Sequence, residues 1–96
     1  MAPSKAPTGH FSILYFAAAS TFTNKASEHL PAPAEARNLF SKLEELYPGI
    51  KDKVLSSCAV TVNMAYIDID GDDAPDLELV IKDGDEVAII PPVSSG

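Results

Sequence analysis

PAEARNLFSKLEELY, residues 33–47, decides the reading of the fold. Ala36, Leu39, Phe40, Leu43, Leu46 and Tyr47 recur at steps of three and one that return to one side of an α-helix, while Glu35, Arg37, Lys42, Glu44 and Glu45 fall largely elsewhere. Glu35 stands near the positive end of the helix dipole, and Tyr47-Pro48-Gly49 supplies a stop. The pattern predicts one long helix with a single apolar face, which must be buried against another layer.

Strand signals on both sides of the helix supply that layer. FSILYF, residues 11–16, is a continuous aromatic and aliphatic run, which predicts a central strand covered on both faces. AAASTFTNKA, residues 17–26, reads as a short helical turn broken at Asn24 and Lys25. In SEHLPAP, residues 27–33, Pro31 and Pro33 forbid a helix interior and disfavour a central strand, so this piece is predicted to be extended and at an edge.

After the helix, residues 50–57 are predicted to form a second short helical turn with Val54 and Leu55 facing inward. AVTVNMAYIDI, residues 59–69, offers two β-type pieces, 59–62 and 66–69, around Asn63-Met64, and predicts a hairpin. Residues 77–81 are a further strand candidate or the approach to one, Asp83-Gly84-Asp85 is a sharp turn, and residues 86–90 form the last strand. The order is an α+β two-layer design with a mixed sheet and one main helix on one face. A β-grasp architecture matches that count, as do other small α+β folds.

Ninety-six residues suffice for one core and no more. Residues 1–10 lack periodicity and read as a loose arm, 11–92 as the folded domain, and 93–96 as a flexible tail. A formal charge of −7 repels nucleic-acid phosphates and anionic lipid, so a basic protein partner suits the chain better than DNA, RNA or membrane. One cysteine, Cys58, permits no internal disulfide and no paired-thiolate metal site, which fits a reducing compartment. No apolar run has signal-peptide or membrane-span length, so the expected location is cytosolic.

The interior carries no recognisable active site. DIDGDDAPD, residues 68–76, fails as a calcium loop: counted from Asp68, the sixth position is Asp73 where glycine is needed, and the twelfth is Leu79 where a bidentate glutamate is needed. It reads as a solvated acidic loop. Cys58 has only serines and apolar residues beside it, which favours a structural thiol over a nucleophile. His10 and His29 are isolated imidazoles without a third ligand, so no metal site is expected. No phosphate loop, nucleophile elbow or His-Glu-x-x-His stretch occurs.

Attention therefore moves to DGDEVAIIPPVSSG, residues 83–96. Pro91 and Pro92 cannot donate ladder hydrogen bonds and end the strand, and Val93, Ser94, Ser95 and Gly96 add little bulk. Extended, residues 91–96 reach roughly 20 Å, enough to thread a narrow channel. Alternation along the strand sends at least one of Ile89 and Ile90 into the core; burial alone would account for both, or one of them, with the prolines, faces a partner.

With FSILYF near the start and AVTVNMAYI in the middle, this ending resembles the small subunits of molybdopterin synthase, a family of ubiquitin-like sulfur carriers, over residues 11–96. The resemblance implies a β-grasp fold and a tail, Ile90, Pro91, Pro92, Val93, Ser94 and Ser95, that inserts into the active site of a large synthase subunit, in a heterotetramer of two large and two small chains. It implies that an ATP-dependent activating enzyme adenylates Gly96 and that a sulfurtransferase route replaces AMP with sulfur. The thiocarboxylate then supplies sulfur to cyclic pyranopterin monophosphate, making the dithiolene that binds molybdenum. No cofactor is held permanently; ATP, AMP and sulfur pass through Gly96. The chain is thus expected to be a non-catalytic subunit.

The family usually ends in Gly-Gly, and here Ser95 stands before Gly96; its Cβ restricts the backbone and adds a hydroxyl inside any tight channel. Two alternatives follow from the same residues. One is a sulfur carrier of the thiamine or tRNA-thiolation type, the other a plain protein-interaction module with an inert tail.

Overall fold

The computed structural model describes residues 6–92. A five-stranded sheet, ordered β2-β1-β7-β4-β5, is built from β1 (His10–Tyr15), β2 (Ser27–Pro31), β4 (Ala59–Val62), β5 (Ala65–Ile67) and β7 (Glu86–Ile90). β1 and β7 run parallel, with Ser12 opposite Glu86 and Tyr15 opposite Ile89; every other pairing in this sheet is antiparallel. The first and last strands therefore lie side by side in its middle. The fold is α+β, a mixed sheet with its helices packed as a second layer.

Helix α1 (Ala18–Thr23) follows β1 and ends at Asn24, whose φ of 61° is the left-handed conformation that asparagine tolerates. β2 then forms an edge of the sheet, as its prolines predict. The main helix is shorter than its sequence period suggests. A 3₁₀ turn, Ala36–Asn38, leads into α2 (Leu39–Leu46), and Leu46, placed by periodicity on the apolar face, is 42% exposed at the last residue of the helix.

The helix entry is fixed by backbone partners rather than a capping side chain. The Ala36 and Arg37 N–H groups donate to the carbonyls of Leu79 and Leu77, satisfying donors that a helix start leaves open. The same approach creates a small second sheet, in which β3 (Ala34–Glu35) pairs antiparallel with β6 (Val80–Ile81). Residues 77–81 thus contribute only two residues of strand, outside the main sheet.

Beyond α2, the Glu44 carboxylate accepts the N–H groups of Gly49 (2.8 Å) and Lys51 (2.9 Å) and closes the bend into α3 (Ile50–Lys53). A 3₁₀ turn, Leu55–Ser57, follows; Val54 and Leu55 are buried, as predicted. Phe11, Ile13, Tyr15, Val60, Val87 and Ile89 from the sheet share one core with Leu39, Leu43, Ile50 and Leu55 from the helical layer. Each such side chain contributes about 1.5–3 kcal/mol when fully buried.

Two expectations for β1 change. Strand pairing begins at His10, opposite Pro31, one residue before the apolar run. The run is not covered on both faces: Phe11, Ile13 and Tyr15 lie in the core, Leu14 is half-buried, and Phe16, past the strand end, is 47% exposed. The helical layer occupies one side of the sheet, so the other is left open. Among the described residues no helix is long and apolar enough to cross a membrane.

Candidate functional site

The last strand is held along its whole length. β7 pairs with β1 on one side and β4 on the other, up to Ala59 opposite Ile90, and the Phe16 N–H donates to Ile89 O at 3.2 Å. The ladder stops at Pro91 because proline has no N–H. Pro91 is half-buried and Pro92 exposed, so the chain leaves the sheet here. Val93, Ser94, Ser95 and Gly96 lie outside the described residues.

The start of β7 is equally fixed. Gly84, at φ +85°, makes the turn; its N–H donates to His10 O, and the Ser12 N–H donates to Asp85 O at 2.9 Å. The Asp85 carboxylate accepts the Lys82 N–H (2.8 Å) through one oxygen and the Asn63 side-chain amide (3.0 Å) through the other. Asn63 Oδ1 in turn accepts the Glu86 N–H at 2.9 Å, which ties the β4–β5 hairpin to the first residue of β7.

Alternation along β7 settles the roles of the two isoleucines. Val87 and Ile89 are fully buried in the core, while Glu86, Ala88 and Ile90 turn toward the open side. There they meet Leu14 and Phe16 from the β1 end and Thr61 from β4 around a shallow depression of about 320 Å³. Tyr66, the cross-strand partner of Thr61, and Met64, at the hairpin turn, form its far rim at 74% and 87% exposure. Among the described residues Glu86 is the one charged residue lining it, on a chain whose formal charge is −7. An apolar, nearly uncharged face on an acidic protein is suited to another protein surface.

The sequence singled out Ile90, Pro91 and Pro92 but not Leu14, Phe16, Thr61, Met64, Tyr66 or Ala88. The available signal was the unbroken apolar run at residues 11–16, whose outward-facing members need a cover that 96 residues supply on one side only.

Elsewhere several polar groups are engaged in holding the fold. In the acidic loop Asp76 accepts the Asp68 N–H, and Asp68 accepts the Asp70 N–H. A cavity of about 460 Å³ between α2 and this loop is lined by both signs of charge, Arg37 and Lys51 with Asp70 and Asp72. Among the described residues no three His, Cys, Asp or Glu side chains are placed to hold a metal ion. Cys58 donates its S–H to Val54 O at 2.9 Å, and burial pushes its thiol above the ordinary range, the opposite of activation.

One polar cluster sits against the core. A single oxygen of Glu28 accepts the hydroxyls of Tyr15 (2.6 Å) and Tyr47 (2.5 Å), while Lys25 donates to the other oxygen at 3.2 Å and lies over the Tyr47 ring. Burial alone raises the Glu28 pKa, but the hydrogen bonds from Tyr15, Tyr47 and Lys25 outweigh it and hold the carboxyl below its usual range. Burial and then the bond to Glu28 push the Tyr15 phenol far up. This cluster ties the edge strand β2 to β1 and to the end of α2.

The parallel pairing of first and last strands, the helical layer on one side and the chain leaving beside an open face together define a ubiquitin-like β-grasp protein. The ThiS family model matches residues 13–96. A molybdopterin synthase sulfur carrier subunit from Phaeosphaeria nodorum is 75% identical over 96 residues, covering 100% of both chains. The small archaeal modifier protein 1 of Methanosarcina acetivorans superposes with a TM-score of 0.69 at 21% identity, over 98% of this chain and 100% of that one. The complex of subunits 1 and 2 of molybdopterin-converting factor from Helicobacter pylori matches with a TM-score of 0.64 at 25% identity, over 91% of this chain and 99% of that one. The chain belongs to the ThiS family, in which it is similar along its full length to a molybdopterin synthase sulfur carrier subunit.

Proposed function

We propose that this protein is the sulfur carrier subunit of molybdopterin synthase, with Gly96 as the residue that carries the sulfur. The observation that carries the reading is the placement of the last strand. β7 is fixed between two neighbours to Ile90 and releases Pro91 and Pro92 at the border of the open apolar face. A partner seated on that face is within reach of the residues that follow Pro92. The full-length similarity to a relative of that name supports this pathway over thiamine synthesis or tRNA thiolation.

The chemistry follows from the terminal group. A carboxylate resists nucleophilic attack through its charge and resonance, so Gly96 needs a leaving group, which adenylation by an ATP-dependent activating enzyme provides, with release of pyrophosphate. Displacement of AMP by a sulfide-level sulfur nucleophile, with the phosphate as leaving group, gives a thiocarboxylate, an anionic sulfur nucleophile at neutral pH. Glycine lets that group approach a confined substrate, here cyclic pyranopterin monophosphate, and two deliveries make the dithiolene. The carrier provides the reactive group and the arm. The large subunit provides the active site, two of each chain forming the synthase, so the small chain is not an enzyme by itself. The subunit pair of the Helicobacter pylori factor supports such a partner.

Mass spectrometry after incubation with the activating enzyme, ATP and a sulfur donor tests the proposal: exchange of one oxygen for sulfur adds about 16 Da, the mass difference of those atoms, and no gain at Gly96 would refute it. Reconstitution with a molybdopterin synthase large subunit separates the pathways, because a carrier of another pathway does not support turnover. Deleting Ser95 and Gly96 should abolish transfer while leaving most of the binding. A plain interaction module would keep both its binding and its cellular function.

A further inference from the structure

We propose that Met64 is a partner-contact residue of the open face, held by a strained hairpin turn so that its side chain meets the large subunit. The inference rests on the reading that this face seats that subunit.

Val62 pairs with Ala65, which leaves Asn63 and Met64 as a two-residue hairpin loop, and both have positive φ, 51° and 72°. Such a loop favours Asn-Gly, because the second position meets a steric penalty in any residue with a Cβ. Asn63 is explained by the fold. Its N–H donates to Glu86 O at 2.7 Å, and its side chain bridges Asp85 and Glu86. Met64 is not explained in that way. At 87% exposure it contributes little to the core, yet it occupies a position where glycine would be less strained.

What Met64 does instead is extend the apolar face. It lines the same depression as Phe16, Tyr66 and Ile90, on the rim formed by the hairpin. Methionine is flexible and polarisable, and it adapts to an irregular partner surface at modest cost in shape. The occupant is fixed by the chain's own exit. Pro91 and Pro92 leave from Ile90 on this face, so a body that takes in the residues after Pro92 covers the depression as well. The surface it presents there is apolar and carries little charge, to match a depression in which Glu86 is the one charged residue among the described residues.

Three variants of the full chain, measured for thermal unfolding and for binding to the purified large subunit, test this. Met64→Gly should raise Tm by about 2–5 °C, because relief of the left-handed strain is partly offset by the extra backbone freedom glycine has in the unfolded chain. It should also weaken binding about tenfold, in the range of an interface contact truncated to nothing. Met64→Ala keeps the backbone restriction and should weaken binding to the same degree, which separates loss of the side chain from loosening of the turn. Tyr66→Asp places a charge on the same face and should weaken binding whatever the role of Met64. Wild-type affinity in both Met64 variants, or a lower Tm for Met64→Gly, overturns the inference. If Tyr66→Asp alone binds weakly, the face reading stands without it; if all three bind like wild type, the face reading falls as well.

Discussion

Replacing Glu28 by alanine should cost far more than its place on an edge strand implies. Tyr15 is 3% exposed and its hydroxyl donates to Glu28 at 2.6 Å, so the variant strands a buried donor, at about 1–3 kcal/mol. Tyr47 is half-buried and can turn to water, so its lost bond adds only about 0.5–1 kcal/mol. The Lys25 pair is screened by solvent and adds little. The expected loss is therefore about 1.5–4 kcal/mol. For a domain of this size, at about 4–8 °C per kcal/mol, that lowers Tm by about 6–32 °C, readable by circular dichroism.

A double-mutant cycle isolates the cause. In a Tyr15→Phe background the stranded donor no longer exists, so Glu28→Ala should cost at least about 1 kcal/mol less than in wild type. Additive effects would refute the network argument, as would a single-variant loss below about 0.5 kcal/mol. The pH dependence carries a defined sign. The folded-state pKa of Glu28 lies below its ordinary 4.5, so its contribution is present above that pH and is lost as pH falls through the folded value. Wild type should therefore lose stability below pH 4.5 more steeply than Glu28→Ala.

Two further outcomes are expected. Leu43→Ala, which empties a fully buried position where α2 meets the core, should cost about 2–5 kcal/mol in urea unfolding; a loss under about 1 kcal/mol would mean that the helix does not form the second layer as described. Cys58 should react with a disulfide reagent more slowly than a free thiol at neutral pH and approach that rate only on unfolding, because burial raises its pKa and its S–H is engaged by Val54.

Local signals were legible where local physics decides the structure. Periodicity placed Leu39 and Leu43 on the buried side of a helix, Pro31 placed β2 at an edge, and Asp83-Gly84-Asp85 marked the turn into the last strand. The hairpin at Asn63-Met64 was legible for the same reason, since a two-residue loop has few conformations and asparagine suits one of them. β3 and β6 were not legible. Two residues have no period, and their pairing exists because the helix entry packs against the segment before Ile81.

By itself the sequence determined the kind and order of the longer elements, the stop at Pro91-Pro92 and the small residues beyond it, because these depend on side-chain type over a few positions. It did not determine which strands are neighbours, since the β1–β7 pairing joins residues 12–15 to 86–89 and its loop-closure cost is met only by the assembled core. Alternation told that Ile89 and Ile90 point opposite ways; only the helical layer decided which way is inside. The same choice turned Leu14, Phe16, Tyr66 and Ile90, scattered along the chain, into one open face beside the exit of the last strand. A period records on which side of its own strand a residue lies, and only the packing of distant segments decides what, if anything, covers it.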